Sequence, residues 1–156
     1  MILNSEMLTD ESINIAQKIL SSNYPHLHGF QDTIIGKLQK FEIVPQNKNY
    51  IQILHDDSLH WVCVANACKN KNDNELHHIY DSLKKRHISH SVLTQIAPYA
   101  YHPGPQLTLH VRPVQQQTNG VDCGVFAIAF ATSLPYDENP EIKNFDMSKM
   151  RQHLVK

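Results

Sequence analysis

The sequence predicts an α+β fold, and three observations carry that expectation. A capped amphipathic segment opens at Thr9, runs rich in β-branched and aromatic residues recur between Tyr50 and Val114, and a long apolar stretch of small residues follows Gly120. The first and last have the character of helices, and the runs between them that of strands. A chain of 156 residues with 41% apolar content and five glycines fits a single domain, residues 1–156, around one core.

The segment TDESINIAQKILSSNYP begins with a capping Thr9. Asp10 and Glu11 then face the positive end of the helix dipole, and Ile13, Ala16, Ile19 and Leu20 form one apolar stripe. Pro25 closes this helix. Residues 26–45 contain Gly29, Gly36 and Pro45 between short apolar pieces, which predicts irregular structure with one short helix. YIQILHD and HWVCVANA, joined by the polar DDSL, predict adjacent strands at the centre of a sheet. The turn-forming tract from Asn66 to Glu75 leads into LHHIYDS, a third strand returning antiparallel. A helix from Ser89 to about Ala100 comes next, and QLTLHVRPV alternates Leu107, Leu109 and Val111 with polar neighbours, as a half-buried strand does. The run DCGVFAIAFATSL has the length of a buried helix rather than a strand, and DMSKMRQHLVK reads as a last helix.

A formal net charge of −1, with both signs dispersed, lacks the basic face that nucleic acid requires. The three cysteines, Cys63, Cys68 and Cys123, cannot all pair, which favours a reducing compartment. The opening MILNSEMLTDES has no basic region ahead of an apolar one, and no apolar run approaches the about 18 residues that span a bilayer. A cytosolic or nuclear protein without a membrane partner is the expectation. Cys63 and Cys68 with His77 and His78 lack the paired short spacings of a structural zinc site, so no metal is expected. Lys84, Lys85 and Arg86 read as a solvated basic turn without function.

A thiol becomes a useful nucleophile at neutral pH when a helix N-terminus and an imidazole favour its thiolate. Cys123 follows the Gly120 turn and opens the apolar helix, and Gly124 beside it leaves room for a substrate. His60, at the start of its strand, can project from the sheet edge toward that helix. Asp81, at the end of the neighbouring strand, is placed to orient the imidazole, although Asp56 and Asp57 are also near in sequence. Gln117, in the loop that leads to Cys123, can add its amide to the Cys123 backbone N–H as an oxyanion hole; Gln115 and Gln116 are rivals for that role.

In this order HW, YDS and QTNGVDCG resemble the ubiquitin-like-protein-specific cysteine proteases, which process SUMO or NEDD8, and more distantly the adenoviral protease. The early LTDESIN and the late MRQHL are similar to that family's first and last helices. The resemblance implies a papain-like fold with a mixed or antiparallel central sheet, and a catalytic set of His60, Asp81, Gln117 and Cys123. It implies cleavage after a small residue, Gly-Gly, of a ubiquitin-like partner, without a cofactor. Trp61 would cover the diglycine tail, with Gly120 and Gly124 beside it. Met7 stands where the family carries a second tryptophan, since Trp61 is the only one in this sequence. An acyltransferase on the same scaffold would need a basic cluster for CoA phosphates, and none precedes Cys123. A module that only binds ubiquitin-like proteins would have no need of the Cys–His pair.

Overall fold

The computed structural model describes residues 7–45, 48–56, 60–66, 76–83, 88–99, 108–136 and 139–155. Helix α1, Asp10–Asn23, starts where Thr9 accepts a hydrogen bond from the Ser12 N–H. It stops one residue before Tyr24, whose position ahead of Pro25 disfavours helical geometry. After β1, His28–Gly29, and the short α2, Thr33–Lys37, come the strands β2, Tyr50–Asp56, β3, His60–Asn66, and β4, Leu76–Tyr80. Helix α3, His90–Ile96, strand β5, Thr108–Arg112, helix α4, Cys123–Ser133, a 3₁₀ turn at Pro140–Ile142 and helix α5, Met147–Val155, complete the order. The expected α+β class and the expected strands, short helix and long helices are all present.

The five strands form one mixed sheet in chain order, with β1/β2 and β4/β5 parallel and the two central pairings antiparallel. β3 lies in the middle and is buried along its whole length. Its residues therefore serve two cores. Trp61, Cys63 and Ala65 join Ile51, Ile53 and Tyr80 beneath α1 and α4, whereas Val62 and Val64 join Tyr50, Leu54 and Ile79 beneath Val92, Ile96 and Tyr99. Since β3 and β4 run in opposite directions, the first residue of β3 and the residue after β4 arrive at the same end of the sheet. His60 and Asp81 hold those two positions.

Two elements differ from expectation in detail. On α1, Ile19 faces outward, 57% exposed, and the buried place goes to Gln17. The Gln17 side chain accepts from Gln52 Nε2 and from the Ile53 N–H, at 3.1 and 3.0 Å, so a polar residue is satisfied inside the α1–β2 contact. Helix α3 ends at Ile96, because Pro98 has no N–H with which to extend the helical hydrogen bonding. Ala100, Leu107, Cys68, the rest of the tract 67–75, and Lys84–Arg86 lie outside the described residues. No helix among those described is long and apolar enough to cross a membrane.

Every residue of α4 from Cys123 to Ala131 is buried, as expected of a helix that is apolar all round. Phe130 anchors it among Tyr80, Phe126 and Phe145, with ring centroids 5.8–6.2 Å away. Phe130→Ala should cost about 3–5 kcal/mol of stability through lost burial and the cavity left behind. A shift of the urea midpoint at unchanged slope measures it.

Candidate active site

Cys123 is the first residue of α4, and Asp122 precedes it without capping the helix through its side chain. The first-turn N–H groups therefore have no side-chain acceptor from that position. His60 comes in from the start of β3, and its Nε2 is hydrogen-bonded to Asp81 Oδ1. The same carboxylate oxygen accepts the Leu83 N–H at 2.9 Å, which fixes its orientation from the loop side. Nε2 is thereby committed to Asp81, which leaves Nδ1 as the ring nitrogen not bound to the acid.

Burial alone would push the His60 titration down, but its hydrogen bonds to Asp81 and Cys123 outweigh it and raise the value from 6.5 to about 9. The imidazole is thus a stable cation at neutral pH. Asp56, the rival acid, is paired with His60 across the β2/β3 ladder and is buried, yet the His60 ring bonds to Asp81. Asp57 lies outside the described residues.

The three consecutive glutamines separate by contact. Gln115 pairs with the backbone of Phe145, accepting its N–H at 2.5 Å and donating to its carbonyl at 3.1 Å. Gln116 Nε2 donates to the Asp81 carbonyl at 3.1 Å. Gln117 accepts from the Ser82 hydroxyl at 2.6 Å and donates Nε2 to the Asn119 carbonyl at 2.6 Å. A carbonyl can only accept, so the Gln117 nitrogen faces the nucleophile loop, with one of its two hydrogens committed to Asn119. The Gln117 N–H also donates to the Ser82 carbonyl at 2.8 Å, tying that loop to the residue after Asp81.

Trp61 is buried, with its indole N–H donating to the Leu8 carbonyl at 3.0 Å. Met7 is half-buried against the same apolar cluster. Gly124 has a packing reason besides the one expected. A Cβ there would stand 3.0 Å from Leu8 and 3.2 Å from the Trp61 ring, so the missing side chain lets these two residues pack closely. Gly120 is exposed, with no neighbour within 4 Å of where a Cβ would be. Its φ is not in the left-handed region, so its turn makes no demand for glycine.

Sequence reasoning missed the surroundings of Trp61 and the clamp on Asp122. The His55 ring meets Trp61 edge-on at 4.6 Å, and Lys37 Nζ lies 5.5 Å from the centre of the Trp61 ring while bonded to Asp10 at 2.6 Å. Arg151, buried on α5, reaches the Asp122 carboxylate at 2.6 Å. Among the described residues no group of three or more His, Cys, Asp or Glu could hold a metal ion, and Cys63 lies buried inside β3.

An acid-bound imidazolium set against a cysteine at the head of a buried helix defines a cysteine peptidase. Residues 31–156 match the Ulp1 protease family, C-terminal catalytic domain, and the chain belongs to that family. No curated protein matches the chain in sequence. Among solved structures it is similar to the C-terminal Ulp1 protease domain in complex with Smt3, the yeast ortholog of SUMO. That likeness has 16% identity over 99% of this chain and 77% of the other, with a TM-score of 0.71. A de-sumoylating protease matches 98% of this chain and 75% of its own at 16% identity and a TM-score of 0.64. The Xanthomonas campestris effector XopD bound to ubiquitin matches 96% and 90% at 16% identity and a TM-score of 0.58. These likenesses are of fold, and they agree with the papain-like α+β architecture expected from the sequence.

Proposed function

We propose that this chain hydrolyses the peptide or isopeptide bond after the C-terminal Gly-Gly of a ubiquitin-like modifier of the SUMO or NEDD8 type, with Cys123 as nucleophile. The observation that carries the reading is His60 bonded to Asp81 at the start of β3, with Cys123 at the head of α4 among the groups that raise its titration. The Cys123 sulfur attacks the carbonyl carbon, and its electron pair forms the thioester as the C–N bond breaks. His60 gives its proton to the departing amine. Water, losing one proton to His60, then attacks the thioester; as the C–S bond breaks, the carboxylate leaves with its remaining proton passing to solvent, and the thiolate–imidazolium pair from which the cycle started is restored. The oxyanion of each tetrahedral intermediate accepts from the Cys123 N–H and from the remaining hydrogen of Gln117 Nε2. Trp61 and Met7, which share one apolar cluster, are the residues assigned to cover the diglycine tail. The odd number of cysteines, Cys63, Cys68 and Cys123, which cannot all pair, supports a cytosolic or nuclear setting.

The test is a panel of ubiquitin-like proteins, each carrying a C-terminal electrophile, incubated with wild type and with Cys123→Ser. One adduct, of modifier plus protease mass and absent from the variant, is the expected outcome and names the substrate. A wild-type chain that reacts with no member, while its folded state is intact by circular dichroism, would sink the modifier assignment.

A further inference from the structure

The turn that presents Cys123 is held from outside the triad. Arg151 is 7% exposed, and its guanidinium donates Nε and Nη2 to Asp122 Oδ1 at 2.9 and 2.6 Å and Nη2 to the Val121 carbonyl at 3.3 Å. The other Asp122 oxygen accepts from Asn119 Nδ2 at 2.7 Å. Asn119 Oδ1 in turn accepts the Val121 and Asp122 N–H groups at 2.9 and 3.0 Å. This network consumes the donors ahead of Cys123 and spends the Asp122 carboxylate on Arg151 and Asn119, which leaves α4 without a side-chain cap. Asp122 is the residue a capping role would ordinarily use. Such a cap would accept from the N–H of Gly124 or Val125; with its carboxylate held by Arg151 and Asn119, Asp122 instead fixes the turn from which Cys123 leads into α4.

We infer that Arg151 is a positioning residue for catalysis: by holding the Asp122 carboxylate and the Val121 carbonyl from α5, it fixes the turn that sets where Cys123 and its N–H stand relative to the oxyanion. The proposal rests on the protease reading and adds a residue distant in sequence from the reacting groups. It separates two steps that share the same thiol. Displacement of iodide from iodoacetamide by the Cys123 sulfur develops no oxyanion, whereas acyl transfer does. Loosening the clamp should therefore slow hydrolysis and leave alkylation alone.

Removing either partner alone leaves a buried charge uncompensated and risks the fold, so the informative protein is Arg151→Gln combined with Asp122→Asn, which keeps the shape and removes both charges. Arg151→Lys, which keeps the charge and loses the two-pronged geometry, accompanies it. The substrate is the coumarin amide of whichever modifier the wild type cleaves. The double variant should melt as a folded protein and be alkylated at the wild-type rate across pH 6–9. Its kcat should fall roughly 10²-fold at unchanged KM, and Arg151→Lys should retain an intermediate kcat. Wild-type turnover with an unimpaired double variant would overturn the positioning role alone, as would a parallel loss of alkylation and turnover. Absence of turnover in the wild type would overturn the protease reading and this proposal with it.

Discussion

Replacing His60 with alanine is expected to lower kcat/KM on a cleavable modifier amide by roughly 10⁴-fold, because one side chain supplies the proton for the leaving amine and the base for deacylation. Alkylation of Cys123 by iodoacetamide near pH 7 should slow in the same variant, since the imidazolium that faces the sulfur is gone. The fold should survive. His60 is the first residue of β3, and the β2/β3 ladder bonds run through the backbone. Far-ultraviolet circular dichroism and a urea titration check that point, and stopped-flow alkylation with steady-state hydrolysis checks the rest. A variant retaining a tenth or more of wild-type kcat/KM would mean that another group carries the proton.

The site was legible in the sequence where a local pattern implied a long-range placement. An apolar run of helix length headed by cysteine could hardly be anything but a buried helix with that thiol at its N-terminus, and α4 begins at Cys123. Two strands returning antiparallel bring the start of one beside the end of the other, and that alone places His60 near Asp81. The features that escaped depend on partners far apart in the chain. Gln17 looks like a surface residue until Gln52 and the Ile53 N–H are seen to satisfy it, and Ile19 looks like core until that exchange is made. Arg151 reads as a helix cation suited to solvent, and nothing in its neighbours announces a carboxylate at the far end of α4. The close packing of Leu8 and Trp61 on Gly124 likewise joins residues far apart in the chain.

Asp81→Ala should reduce hydrolysis at pH 8 by roughly 10³-fold, the product of a less protonated His60 and a ring free to turn away. The sign is set by the contacts that remain. Burial by itself lowers the His60 titration, and the Asp81 hydrogen bond and charge are among the contacts that raise it to about 9. Without them the alkaline limb of kcat/KM, expected near pH 9 in the wild type, moves toward neutrality. The same linkage reaches stability. A histidine raised in the folded state contributes stability that is complete below its ordinary value of 6.5 and is lost as pH climbs through about 9. The wild type should therefore lose stability across pH 6.5 to 9, and Asp81→Ala should lose far less over that window while being weaker at its acid end. Urea midpoints at half-unit intervals of pH, taken beside the kinetic profile, measure both. A kinetic limb that stays near pH 9 in Asp81→Ala would show that Cys123 alone holds the proton on His60, and Asp81 would then be reduced to a structural contact with the Leu83 N–H.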